Sequence, residues 1–453
     1  MSSGVVLTDR KERPRAARSL LLVAILLGIV IRVGVLFAFG TQQPIYEYRV
    51  IGSNLAHGRG FSFFAETPTG IHTQPLVGTP QPGAYVPPIY AVISAAADKA
   101  TGGGSGEVRV LQGLNLLLFA VMALLLFELG TALLGAHVGG LVALGLALYP
   151  PLVYMTSQVS PSNLYLPAEA GLLLAVVWLL RTTSRRDAIV AGALGGLVCL
   201  LRPEGVILVV ILAAFVVRAA RRSGKSGMAA FRPAALLLVV AVAPVAVWLV
   251  RNSITMGRPT PTVTTQAGFV LWAGNHDGAT GSGKTYTVGA AAVAKETALL
   301  DRVNHLPPGR DYEIRRDAVF RHEALSWMSA HPAATVVGLA KKTFLLGAID
   351  RDDRRSLNPG YLLSWAGLVV LAGLGLLRLR PRGPEWTLIG LYAAISFVVP
   401  VVAVVLPRYR LPVDMVALLP AGWLVAQSSA YRRFWLVHWN RTESPPPSRM
   451  ARS

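Results

Sequence analysis

Residues 15–48 read RAARSLLLVAILLGIVIRVGVLFAFGTQQPIYEY. From Ser19 to Gly40 the only charge is Arg32, and the length matches the roughly 20 apolar residues a helix needs to cross a bilayer. The run exceeds the apolar core of a cleaved signal and carries no small-residue cleavage site, so a retained first span is expected. Arg10, Lys11, Arg13, Arg15 and Arg18 precede or open it, which places the N-terminus in the cytoplasm and Thr41 outside.

The rest of the chain repeats this pattern. Of 453 residues, 53% are hydrophobic and 15% charged, and the mean hydropathy of +0.51 is too apolar for a soluble chain of this length. The formal charge of +20 would suit nucleic acid, but Lys and Arg gather in short clusters beside apolar runs. That is the positive-inside pattern. No stacking platform or groove-reading motif accompanies it, so no nucleic-acid partner is expected. Cys199, the only cysteine, lies inside an apolar run, which excludes disulfides and cysteine-rich metal sites.

Further spans are predicted at about Arg109 to Leu134, Val138 to Met155, Leu164 to Leu180, Ala188 to Leu201, Val206 to Ala219 and Pro233 to Val250. Three more follow at Leu362 to Leu377, Trp386 to Leu406 and Leu411 to Ala426. Arg181, Arg185 and Arg186, then Arg218, Arg221, Arg222 and Lys225, then Arg378, Arg380 and Arg382, and Arg432-Arg433 all fall inside in this scheme. The segment 333–349 is apolar but short and holds Lys341 and Lys342, so it is placed at the interface with its lysines snorkelling. The expectation is an all-α polytopic membrane protein with about ten spans and two long outer loops carrying interfacial helices. Its parts are a basic cytoplasmic tail (1–18), a seven-span module (19–250) including an outer loop (41–106), an outer region (251–361), a three-span module (362–428) and a cytoplasmic tail (429–453). Within the first loop a short amphipathic helix is predicted from Glu47 to His57, ended by Gly58, before the turn-rich Pro75 to Pro88.

Gly278-Ala279-Thr280-Gly281-Ser282-Gly283-Lys284-Thr285 matches the phosphate-loop pattern letter for letter. A working loop needs a buried strand running into the first Gly and a helix starting at the phosphate. Here Gly274-Asn275-His276-Asp277 intervenes and the loop faces a compartment without ATP, so no nucleotide is expected.

Ionisable groups at or inside a membrane tend to be functional or specifically paired. Arg32 and Arg109 read as snorkelling span-end arginines, whereas Glu169, several residues into its span, suits an ion pair, a neutral acid or a catalytic group. Arg202, Arg251, Arg408 and Arg410 sit at the outer ends of four spans, against the positive-inside tendency. Guanidinium forks suit phosphate oxygens, and the anion at hand is a lipid phosphate. Loop ion pairs with Glu204 and Asp277 are the structural alternative.

Several motifs carry a resemblance. They are Tyr46-Glu47-Tyr48 with Ile51, Asn54-Leu55, Gly58-Arg59-Gly60-Phe61-Ser62 and Pro87-Pro88-Ile89-Tyr90; then Leu148-Tyr149-Pro150-Pro151, Leu201-Arg202-Pro203-Glu204, Trp248-Leu249-Val250-Arg251-Asn252, Leu271-Trp272-Ala273-Gly274-Asn275 and Arg408-Tyr409-Arg410-Leu411-Pro412. In this order they resemble GT-C membrane glycosyltransferases, the relatives of protein O-mannosyltransferases and lipid A aminoarabinose transferases. The resemblance implies inverting transfer of a sugar from a polyprenyl-phosphate donor to a protein, lipid or polysaccharide acceptor at the outer face of the plasma membrane. It makes Glu47 the base that deprotonates the acceptor, and Arg408, Tyr409, Arg410, Arg202, Arg251, Lys341 and Lys342 the donor-phosphate group. Tyr48, Asn54, Tyr90, Glu204, Trp272, Asn275 and His276 are expected around the substrate, in one cavity open sideways to a lipid tail.

Two positions depart from the pattern. Many relatives carry Asp where Glu47 stands, and an acid near the outer start of the fourth span, where this chain reads Ser160-Pro161-Ser162-Asn163. Asn163 is no base, so a divalent metal, Mg or Mn, is left open. A transporter of lipid-linked sugars and a non-catalytic GT-C-like scaffold are the competing readings. Transporters often show inverted repeats and midplane sites, whereas the charges here gather at one face.

Overall fold

The computed structural model describes residues 15–73, 78–283, 286–354, 356–431 and 433. Arg10, Lys11, Arg13, Pro75, Lys284, Thr285, Arg432 and most of the 429–453 tail lie outside the described residues.

After α1 (Arg15–Phe39), the first long loop holds α2 (Glu47–Ala56), strands β1 (Phe64–Thr67), β2 (Gly70–His72) and β3 (Thr79–Gln81), and α3 (Pro88–Thr101). The strands form an antiparallel sheet in the order β2-β1-β3. A bundle follows: α4 (Gly104–Leu134), α5 (Ala136–Leu148), α6 (Pro150–Met155), α7 (Ser162–Thr182), α8 (Arg185–Leu201), α9 (Glu204–Arg222) and α10 (Gly227–Met256). The second long loop contains α11 (Ala267–Ala273), α12 (Ala290–Asn304), α13 (Tyr312–Ala330) and α14 (Pro332–Gly347). The chain ends its described part with α15 (Pro359–Leu379), α16 (Pro384–Val402), a 3-10 turn (Pro407–Arg410) and α17 (Leu411–Gln427).

This is a polytopic membrane protein, helical apart from the small sheet. Each predicted span has a helix, and α1, α4, α7, α10, α15 and α16 are long and apolar enough to cross a bilayer. Leu126, Val142, Val176, Leu212 and Leu419 are fully buried at the centre of the bundle. Leu22, Val30, Phe37, Val247, Leu363 and Leu377 are more than half exposed. Large apolar side chains on the outside are what lipid, rather than water, requires.

The predicted span Val138 to Met155 is broken. Pro150 and Pro151 have no N–H, so the Leu146 and Ala147 carbonyls lose their helical donors. Arg32 replaces them: Nη2 donates to Leu146 O at 3.2 Å, Nη1 to Ala147 O at 3.0 Å and Nε to Thr156 Oγ1 at 3.1 Å. Its guanidinium lies 3.6 Å from the Phe119 ring centroid and is 1% exposed. Arg32 therefore does not snorkel; it caps α5 from inside the bundle.

The two long loops meet. Ala84 N and Thr265 Oγ1 both donate to Glu313 Oε2, at 2.7 and 2.6 Å, and Arg251 Nη1 donates to Gly83 O at 2.5 Å. Thr265 N adds a bond to Ala84 O at 2.9 Å. Residues 83–85 of the first loop are thus stitched to 264–265 and α13 of the second.

Burial pushes the Glu313 carboxyl up from 4.5 to about 7, against the Thr265 and Ala84 hydrogen bonds. A folded value above the unfolded one contributes stability that is complete below pH 4.5 and is lost as pH rises through about 7. Across that window, wild type should lose about 3 kcal/mol of stability relative to Glu313→Gln. Parallel pH–stability curves for the two proteins in denaturation experiments would refute this.

Candidate functional site

Glu47 opens α2, where the helix dipole favours a carboxylate in the first turn. The helix is fixed from beneath: Arg49 Nη2 and Nε donate to Glu107 Oε2 at 2.7 and 3.0 Å, and Glu107 Oε1 accepts from Ser94 Oγ at 2.6 Å. Gly52 permits this approach, since an added Cβ would lie 2.6 Å from Ser94 Oγ. Glu47 itself is half-buried, and among the described residues it pairs with no cation.

Arg202 occupies the turn between α8 and α9, where Pro203 and the extended backbone of Arg202 end α8. Its Nη1 pairs with Glu204 Oε1 at 3.1 Å and Nη2 donates to Ser162 Oγ at 2.9 Å. The guanidinium stands 4.8 Å from the Tyr165 ring and 5.2 Å from that of Tyr409. Arg408 lies 5.6 Å from the same Tyr409 ring. Two cations therefore face one phenol, and among the described residues no carboxylate pairs with Arg408.

The position of Arg408 is set by the glycine-rich segment. Gly283 N donates to Val405 O at 2.8 Å and Val405 N to Gly281 O at 3.0 Å, so the segment pairs with the extended strip 403–406. A Cβ at Gly274 would overlap the Ala403 carbonyl. The next helix, α12, begins only at Ala290, so among the described residues no helix N-terminus sits at the phosphate-loop lookalike. Lys342 is fully buried and donates to Asn275 Oδ1 (2.9 Å), Gly274 O (3.2 Å), Val402 O (3.2 Å) and Ala403 O (2.9 Å). It caps α16 rather than snorkelling from an interfacial helix, while Lys341 is exposed.

Between these elements lies a cavity of about 450 Å³. Glu47, Tyr48, Arg202, Glu204, Arg408 and Tyr409 all line it, with Gln266, Phe269 and Tyr286 on the second-loop side. One stretch of its wall is apolar: Ile207, Val399, Pro400, Ala403, Val404 and Leu406. Burial raises the Tyr286 hydroxyl, Glu47 and Tyr409 push it further up, and Arg408 pulls it down. Tyr286 therefore lies within electrostatic reach of both the carboxylate and the guanidinium.

The other expected residues are placed outside this lining. Arg410 Nε pairs with Asp414 at 3.3 Å, and its guanidinium stacks 4.6 Å from the Trp365 ring. Arg251 is held by Gly83 O and Asn252 Oδ1. Asn54 Nδ2 donates to Ser62 O, and Tyr90 is buried against the Tyr48 ring. Trp272 stacks on His276 at 4.4 Å, and Asn275 Nδ2 donates to Leu271 O and Val402 O. Tyr286, Gln266 and Phe269 had no local signal, because only the closing of the two loops brings them to Glu47.

The donor set does not fit a divalent metal. Among the described residues no three His, Cys, Asp or Glu side chains converge, and the two cavity carboxylates are Glu47 and the Arg202-paired Glu204. Asn163 faces away: its Nδ2 donates to Met155 O and Gln158 O at 3.0 and 2.8 Å, bonds a carboxylate would not make.

A family model described as dolichyl-phosphate-mannose-protein mannosyltransferase matches residues 86–248. The oligosaccharyltransferase AglB of Archaeoglobus fulgidus, solved with an inhibitory peptide and a dolichol-phosphate, superposes with a TM-score of 0.57 at 14% identity, over 96% of this chain and 53% of that one. The chain shares the fold of this structure. A second AglB structure, tethered to an acceptor peptide, gives a TM-score of 0.57 at 14% identity over 94% and 51% of the two chains. ArnT from Cupriavidus metallidurans, bound to undecaprenyl phosphate, aligns over 91% of this chain and 78% of its own, at 12% identity and a TM-score of 0.36. The chain spans about half the length of the AglB structures. No curated protein matches it by sequence.

Gly274→Ala should force the 403–406 strip away from its seat, lowering stability by about 1–3 kcal/mol. The 3-10 turn that follows the strip and holds Arg408 should shift with it. Unaltered melting in this variant would refute the seating role.

Proposed function

We propose that the chain transfers a sugar, with inversion, from a polyprenyl-phosphate monosaccharide to a hydroxyl acceptor at the outer face of the plasma membrane. The observation that carries this reading is that Glu47 shares one cavity with Arg408, Tyr409 and Arg202. A free carboxylate opposite two guanidinium groups suits a reaction in which a proton leaves one end of the reacting group while negative charge builds at the other.

In the proposed reaction, Glu47 takes the proton as the acceptor oxygen attacks the anomeric carbon. The bond from that carbon to the phosphate oxygen breaks, and the electron pair leaves with the phosphate. Arg408 and Arg202 bind the oxygens that gain charge, and Tyr409 donates a hydrogen bond to them. A single displacement from the face opposite the leaving group inverts the centre. The apolar wall from Ile207 to Leu406 suits the first isoprene units of the carrier, in line with the dolichol-phosphate of the AglB complex. Arg410, Arg251, Lys341 and Lys342 are left out of the phosphate group.

Orientation follows from charge. The turns α7–α8, α9–α10 and α15–α16 carry Arg181, Arg185, Arg186, Arg221, Arg222, Arg378, Arg380 and Arg382. Each lies one helix length from the cavity, roughly 25–30 Å for 17 to 21 residues. The positive-inside rule then puts the cavity on the non-cytoplasmic side.

Glu47→Gln should abolish sugar transfer in membranes while polyprenyl-phosphate binding persists; full transfer by this variant would sink the base assignment. Arg408→Ala should weaken donor binding about 10- to 100-fold, the worth of a charge-assisted bond. An unchanged donor affinity would count against the phosphate role.

A further inference from the structure

The glycine-rich segment that resembles a phosphate loop is one arm of a hairpin. Thr280 N donates to Tyr286 O and Val288 N to Gly278 O, both at 3.0 Å, and Ala279 bridges Thr287 in antiparallel register. Gly278, at φ 73°, lets the return arm close, since a Cβ there would lie 2.5 Å from Val288 O. The first arm also pairs with Val405 through Gly281 and Gly283. The hairpin therefore ties Tyr286, on its return arm, to the strip that leads into the Arg408 turn. Tyr286 is half-buried and lines the main cavity. Its ring stands edge-on to that of Phe269, another lining residue, with centroids 5.9 Å apart at 84°. Among the described residues its hydroxyl makes no hydrogen bond, and the reaction above assigns it no part.

We propose that Tyr286 contacts the transferred sugar, its hydroxyl hydrogen-bonding one sugar hydroxyl while Phe269 holds the ring, and so helps to select which sugar is transferred. This rests on the reaction proposed above. In a single displacement the acceptor oxygen and the departing phosphate oxygen stand on opposite sides of the anomeric carbon. Glu47 serves the first and Arg408 the second. A side chain that feels both charges and bonds to neither flanks the sugar between them. The phosphate has Arg202, Arg408 and Tyr409 beside it, whereas the sugar hydroxyls have no partner so far. Burial and the Glu47 charge both raise the Tyr286 hydroxyl, so it stays neutral and can donate to a sugar hydroxyl or accept from one. Gln266 lines the same side with an amide of similar capacity. A polar group placed for one substrate hydroxyl discriminates against a sugar that lacks it, because the group is then left unpaired.

The test is calorimetric titration of the detergent-solubilised full chain with undecaprenyl phosphate and with its mannosyl, glucosyl and galactosyl derivatives. Tyr286→Phe keeps the ring against Phe269 and removes no hydrogen bond within the protein. It should weaken the best-bound glycosyl donor about 3- to 10-fold, the worth of one neutral hydrogen bond, and leave undecaprenyl phosphate binding unchanged. Among forms of that donor lacking one sugar hydroxyl each, one should bind wild type and Tyr286→Phe equally. Equal weakening of donor and bare lipid assigns Tyr286 to seating the Arg408 turn, and an unweakened donor leaves it no contact; either overturns the proposal. If wild type binds undecaprenyl phosphate and none of the three donors, the sugar contact is refuted. Wild type that binds none of the four refutes the phosphate site and the proposed reaction with it. Should Tyr286→Phe not fold, 3-fluorotyrosine at position 286 gives a second reading. Its fluorine resonance should shift with the glycosyl donor and not with the bare lipid, and an unshifted or equally shifted signal overturns the role.

Discussion

A helix that stops inside a membrane protein leaves carbonyls that no water can satisfy, and the cavity of this protein is built from such stops. α5 ends where Pro150 and Pro151 remove two donors, and α16 ends where the chain turns into the 403–406 strip. In each case a buried cation supplies the missing donors: Arg32 for Leu146 and Ala147, Lys342 for Val402 and Ala403. Once these ends are satisfied, the chain beyond them is free to leave the bundle. The 156–163 segment and the Arg408 turn then reach the cavity in fixed positions.

The loops complete what the helix ends begin. Glu313 draws residues 84 and 265 onto one carboxylate oxygen, and Arg251 adds the Gly83 carbonyl. This closes the second loop over the first and brings Tyr286 and Gln266 opposite Glu47. Within the space Arg202 is shared with Glu204 and Arg408 stands on Tyr409, while among the described residues Glu47 pairs with no cation. The Glu204 and Ser162 bonds orient Arg202 at the space, where Arg408 and Glu47 keep their charges open to a ligand.

The same contrast explains which expectations met the structure. α2 runs from Glu47 to Ala56 with Gly58 in the left-handed region at φ 74°, as its pattern and breaker suggested. The strands of the first loop are three or four residues long, too short for an alternating pattern to show. The phosphate-loop lookalike has the letters of an anion site, yet Gly281 and Gly283 serve backbone pairing with Val405. Arg410 and Lys342 carry the expected charge, but Arg410 Nε pairs with Asp414 and the Lys342 ammonium is held by helix carbonyls.

Sequence by itself determined the solvent and the architecture. Length of apolar run and placement of Lys and Arg are local quantities, and the bilayer selects on them directly. It also determined that basic side chains collect at the helix ends opposite the Arg181, Arg221 and Arg378 clusters. Only the tertiary structure decided which of those cations are free. A guanidinium or ammonium group whose donors are all taken by buried carbonyls has none left for a ligand, and those claimants lie 114 residues away for Arg32 and 60 for Lys342. No spacing along the chain encodes such contacts, because they exist only after the helices have packed.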